Sequence, residues 1–93
     1  MRTNQERISL FDADLRGAFK VESLQIEDES HLHAGHAGAA TGGGHFKVFI
    51  VAPEFEGLSL LARHRAVYAA LNRHIPVEIH ALTISAMSPQ ELS

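Results

Sequence analysis

The sequence predicts an α+β domain in the order helix, strand, strand, helix, strand, and three observations predict it. Apolar residues first recur at helical intervals (Ile8, Phe11, Leu15, Phe19). They then alternate with polar ones, Leu24 and Ile26 against Gln25 and Glu27, and a helical stripe followed by a strand pattern returns after Pro53. At 93 residues and 45% apolar, the chain has material for one core and one domain, 1–93, with no internal repeat. Two helices covering one face of a three-stranded mixed sheet bury such elements. The first two strands would form a long-looped hairpin, and a right-handed helical crossover would lead into the last.

Each element has a local reason. Thr3 and Glu6 stand at the Thr-x-x-Glu spacing of a capping box and open the first helix. Gly17 weakens that helix by about 1 kcal/mol relative to Ala. The first strand, around Leu24 and Ile26, closes at Asp28-Glu29-Ser30. Residues 31–45 hold four His, five Gly and four Ala and have no apolar periodicity to offset ordering entropy, so they read as a mobile loop. Phe46, Val48, Ile50 and Ala52 alternate with Lys47, Phe49 and Val51, a strand apolar enough for the sheet centre, and Pro53 stops it. Glu54-Phe55-Glu56-Gly57 reads as a turn. The second helix spans 59–73, its inward stripe formed by Leu60, His64, Val67 and Leu71 and widened by Leu61 and Tyr68, with Pro76 beyond its end. The last strand, 79–86, puts His80, Leu82 and Ile84 on one face and Ile79, Ala81, Thr83 and Ser85 on the other. Ser88-Pro89-Gln90-Glu91 starts a short final helix.

Composition excludes several function classes. The absence of Cys removes disulfides and any all-thiolate metal site built from this chain alone. Eleven acids against eight bases, net −3, do not make a basic nucleic-acid-binding domain. No run approaches the roughly 20 apolar residues of a membrane span, and no signal-type segment opens the chain, so a cytoplasmic protein without membrane contact is expected. There is no Gly-x-x-x-x-Gly-Lys loop, Cys-x-x-Cys, His-Glu-x-x-His or Gly-x-Ser-x-Gly elbow. Gly42-Gly43-Gly44 precedes a strand, not the helix N-terminus a phosphate cradle needs. Asp12 with Asp14 and Glu27 with Glu29 read as solvated faces, and catalysis by this chain is not expected.

Histidine is the exception: seven in 93 is about three times the ordinary usage, and imidazole is the commonest biological metal ligand. His31, His33, His36 and His45 lie in or beside the Gly-rich loop, where imidazoles can converge on an ion or simply stand in water. His80 opens the last strand at the rim of the expected core face, fixed by neighbours with one ring nitrogen outward, or hydrogen-bonded inside. His64 falls in the inward helical stripe and reads as structural. Arg63 and Arg65 project about 100° to either side of it and are expected to anchor acids on neighbouring elements.

Five segments then combine: Asp28-Glu29-Ser30 before His33; His45-Phe46-Lys47-Val48 running into Ile50-Val51; Phe55-Glu56-Gly57; Arg63-His64-Arg65 running to Val67-Tyr68 and Leu71; and Ile79-His80-Ala81-Leu82. In that order and spacing, over about 8–91, the chain resembles the BolA family. The resemblance implies a class II KH-like fold and a non-catalytic adaptor that binds a monothiol glutaredoxin and shares a 2Fe-2S cluster with it. The glutaredoxin would supply its thiolate and a bound glutathione, and this chain His80 and a loop ligand. Counting from Glu29-Ser30 matches that ligand to His33, the histidine subgroup, with His31 and His36 as alternatives. Imidazoles in place of thiolates on one iron remove negative charge and raise the reduction potential. His64, Phe55 and Gly57 are expected to be structural or to shape the partner surface. Ala52 stands where the family often has Ser.

The family is also described as transcriptional regulators. A DNA-binding reading would need Arg63, Arg65, Arg73 and Lys47 to form the contact surface, although the chain lacks the Gly-x-x-Gly loop of a KH module between helices. For the free chain, a weak homodimer is compatible with the sequence.

Overall fold

The computed structural model describes residues 3–29 and 44–92. Its elements are α1 (Asn4–Ala18), β1 (Ser23–Asp28), β2 (Gly44–Val51), α2 (Leu60–Ala70) and β3 (Ile79–Met87), with 3-10 turns at Pro53–Phe55, Asn72–His74 and Pro89–Leu92. The sheet order is β1-β2-β3, with β1 antiparallel and β3 parallel to the central β2. This is the expected α+β mixed sheet with both helices on one face. The expected loop ligands His31, His33 and His36 lie outside the described residues.

Helix α1 starts where its cap requires. The Thr3 hydroxyl accepts from the Glu6 N–H at 3.1 Å and the Glu6 carboxylate accepts from the Thr3 N–H at 3.0 Å. Its buried face carries Phe11 and Leu15, with Ile8 and Phe19 half-buried beside them. Phe11 meets Phe46 of β2 edge-to-face at 5.0 Å, and Phe19 meets Phe55 at 5.0 Å. Phe46, Val48 and Ile50 of β2 lie under the helices; burying each such side chain contributes about 1.5–3 kcal/mol.

Helix α2 departs from the expected stripe. It ends at Ala70 rather than 73, and the chain tightens into a 3-10 turn before Pro76. Leu60, Leu61 and Tyr68 are exposed and His64 is half-buried, while Arg63 and Val67 are buried, Leu71 is buried just beyond the helix end, and Ala66 and Ala70 pack on the core. The inward face is thus rotated by about one residue. Arg63 tolerates this because its donors are satisfied. Nε donates to Leu58 O at 3.0 Å, Nη1 to Ala86 O at 2.9 Å, and the fork grips Glu91 at 2.7 and 3.0 Å. Glu91, four residues past the end of β3, was not in the helical pattern, so periodicity alone selected the wrong residue.

Candidate histidine site at the end of the sheet

The site is made by one irregularity. Gly44 pairs with Ile79 but His45 pairs with Ala81, so His80 is an extra residue bulged out of the parallel ladder. Ile79, Leu82, Ile84 and Ala86 consequently all pack on the core, although Ile79 and Leu82 are three apart, an odd step that a regular strand forbids. The expectation that His80 shares a face with Leu82 and Ile84 is corrected by this bulge, which turns His80 outward and leaves it exposed.

His45 stands beside it. On β2, Phe46, Val48 and Ile50 take the core face, so His45, Lys47 and Phe49 take the helix-free face. The rings of His45 and His80 have centroids 5.3 Å apart at an interplanar angle of 46°. His45 is half-buried with its Nε2 shielded from solvent, so His80 is the open member of the pair. Sequence reading grouped His45 with the loop. The signal separating it is its position directly before the alternation of β2, where a regular strand already fixes its face.

Two imidazoles on one ion, with metal–nitrogen bonds of about 2.1 Å and ring centres about 1.1 Å further out, have centroids roughly 5 Å apart at a tetrahedral angle. The observed spacing fits. No group of three or more His, Asp or Glu capable of holding a metal occurs among the described residues, so any further ligands must come from elsewhere.

The remaining candidates are dispersed. Arg63 is buried in the α2–Glu91 junction, so it is not a contact residue for nucleic acid. Arg73 donates to Asp14 from Nε at 2.9 Å and Nη2 at 2.8 Å, tying the turn after α2 to α1. The Asp14 carboxyl is held below its usual range chiefly by that Arg73 hydrogen bond, against a smaller opposing effect of burial. His74 Nε2 lies 2.7 Å from the same carboxylate, and its ring packs on Phe11 at 4.9 Å. Lys47 lies on the opposite, helix-free face, paired in register with Glu27 and beside Gln25 and Phe49 in a shallow concavity. Arg65 is exposed on α2. The four cations do not form one surface. Phe55 is fully buried, and Gly57 has φ 78°, the left-handed region that favours glycine.

Known proteins share the sequence pattern and the fold of this chain. The sequence profile of the family described as BolA-like protein matches residues 15–91. The chain belongs to the BolA-like family. It is 39% identical over 90 residues to "Protein BOLA1, chloroplastic" of Arabidopsis thaliana, covering 94% of this chain and 56% of that protein. The solved BolA domain of SufE1 from Arabidopsis thaliana superposes with a TM-score of 0.79 at 33% identity, covering 98% of both chains. The "DNA-binding transcriptional regulator BolA" of Haemophilus influenzae is 33% identical over 82 residues, covering 88% of this chain and 77% of that one. This BolA-like chain thus spans little more than half the length of the first curated relative it matches. No described helix is long and apolar enough to cross a membrane. The chloroplastic name of the Arabidopsis relative makes kinship compatible with an organelle as well as with the cytoplasm.

Proposed function

We propose that this chain is a non-catalytic adaptor that docks a thiolate-bearing partner of the monothiol glutaredoxin class and completes a shared 2Fe-2S centre with imidazole. The observation that carries the reading is the outward His80, bulged from a rigid sheet with a second imidazole 5.3 Å away, in a chain without a single Cys. His80 is the fixed ligand. The second is a histidine of the loop, His33 by its spacing from Glu29-Ser30, or His45. Such a centre supplies electron transfer or transferable iron and sulfide, at a potential raised by its neutral ligands. A bulge is well suited to this work, since it re-aims a side chain without loosening the strand that carries it.

The exposed apolar side chains of Leu60, Leu61 and Tyr68, 71%, 59% and 41% exposed, support an adaptor role. At about 100° per residue they fall on the same side of α2 as the half-buried His64, and exposed apolar side chains grouped on one helix face favour docking of another protein.

The test is reconstitution of the purified chain with a monothiol glutaredoxin, glutathione, iron and sulfide. A coloured one-to-one complex is expected, with His80→Ala changing its optical and magnetic spectra. Comparing His33→Ala with His45→Ala then identifies the second ligand. Failure to form a complex, or spectra indifferent to His80→Ala, refutes the assignment. The name of the Haemophilus relative favours a second reading, binding to DNA, for which Arg65 is the exposed cation of α2. That reading requires steeply salt-dependent duplex binding in which specific sites outcompete random DNA.

A further inference from the structure

The two edges of the sheet differ in a way that points to a partner. β1, at one edge, carries Glu27 and Asp28 and is flanked by Glu22 and Glu29, the kind of charge that keeps edge strands from pairing. β3, at the other edge, runs from Ile79 to Met87 without one Asp, Glu, Lys, Arg or Pro, and β-formers dominate its middle. Its protection is confined to the ends. The His80 bulge interrupts it at one end, and Arg63 caps the Ala86 carbonyl at the other. Between them the edge is bare among the described residues.

Backbone direction defines what that edge offers. Met87 O accepts from Ala52 N–H, so Met87 and, by alternation, Ser85, Thr83 and Ala81 address β2, whereas Leu82 and Ile84 present N–H and C=O outward. Leu82 and Ile84 are also only half-buried although they pack on the core, because they stand at its rim.

We infer that this edge pairs antiparallel with β3 of a second copy of the chain, about a two-fold axis at Thr83. The segment is self-complementary in that register. Leu82 faces Ile84 of the copy in both halves, exchanging reciprocal backbone hydrogen bonds and covering each other's exposed apolar surface on the helix side. Thr83 faces Thr83, and Ala81 faces Ser85, on the helix-free side. No charge meets a like charge, which pairing through β1 would impose. Edge pairing over so few residues buries well below the roughly 1,200 Å² of a stable interface, so the dimer is weak and concentration-dependent. It joins two three-stranded sheets into one and leaves both copies of His80 outside the paired segment. The inference therefore does not depend on the proposed function.

The absence of Cys provides a clean test. In an antiparallel non-hydrogen-bonded pair the Cα atoms lie about 4.5 Å apart, within the range a disulfide spans. Thr83→Cys should cross-link into a dimer in a glutathione redox buffer at least roughly tenfold faster than Gln25→Cys, an exposed control on β1. Sedimentation equilibrium of the full chain should show a monomer–dimer equilibrium by millimolar concentration, which Thr83→Lys abolishes by opposing two ammonium groups. Thr83 is exposed, so the circular dichroism spectra of these variants should match that of the parent. A chain that stays monomeric at millimolar concentration overturns the inference. So does a dimer that survives Thr83→Lys, or equal cross-linking of Thr83→Cys and Gln25→Cys.

Discussion

Arg63→Met is the most informative single change, because it separates a structural arginine from a ligand-binding one. Methionine keeps the unbranched stem that fills the space between α2 and the chain after β3, and deletes only the guanidinium. The Ala86 carbonyl then loses its donor while buried, which costs about 1–3 kcal/mol. The Leu58 carbonyl belongs to a residue 39% exposed and finds water, so its loss is about 0.5–1 kcal/mol. Glu91 loses the Arg63 fork but keeps the Ser88 N–H, and because this carboxylate is exposed, solvent screening makes the lost pairing a minor addition to the sum. The expected loss is about 2–3 kcal/mol, or roughly 10–20 °C in Tm for a domain of this size. Urea unfolding followed by circular dichroism reads it, with an unchanged slope and a lower midpoint. Arg65→Met, on the exposed flank of the same helix, should stay within about 0.5 kcal/mol of the parent. If the two variants were equally stable, Arg63 would not be the buried clamp described, and its nucleic-acid role would return.

Four further outcomes follow from the same geometry. The Arg63 hydrogen bond, helped by the Ser88 N–H, lowers the Glu91 carboxyl from 4.5 to about 2. The pairing therefore adds stability above pH 4.5 and loses it as pH falls toward 2; Glu91→Gln should flatten that limb of a urea-midpoint titration, and an unaltered slope would contradict it. Phe11→Ala, which removes a ring packed on both Phe46 and His74, should cost about 3–5 kcal/mol in the same unfolding assay, and a loss below 1 kcal/mol would show that the core can close over the gap. Gly57→Ala meets no atom within 4 Å, so its whole cost is the left-handed backbone, about 1–2 kcal/mol; a neutral result would mean that the turn relaxes to another conformation. His80→Ala should leave stability within about 0.5 kcal/mol of the parent while altering the spectra of the reconstituted complex, whereas a strongly destabilised variant would show the ring to be structural.

Much of the fold was legible locally. The Thr3–Glu6 box, the Phe11 and Leu15 stripe, the alternation from Phe46 to Ile50 and the stop at Pro53 are each written within a few residues of the element they specify. The family was legible too, because its segments hold their spacing. The errors share one cause. The inward face of α2 was misjudged because Arg63 can be buried only if Glu91 and the carbonyl of Ala86 arrive beside it, and these lie 28 and 23 residues away. The face of His80 was misjudged because a bulge belongs to the pairing of two strands and has no mark in either one.

The sequence by itself determined the order of elements, the family, the absence of thiolate ligands and the excess of imidazole. These are properties of composition and short-range period. Only the tertiary structure decided that His80 points away from the core toward His45, that three of four candidate cations serve the fold or face another way, and that β3 keeps an uncharged edge. Side-chain direction in a sheet is set by register against a neighbouring strand, and a single extra residue reverses it.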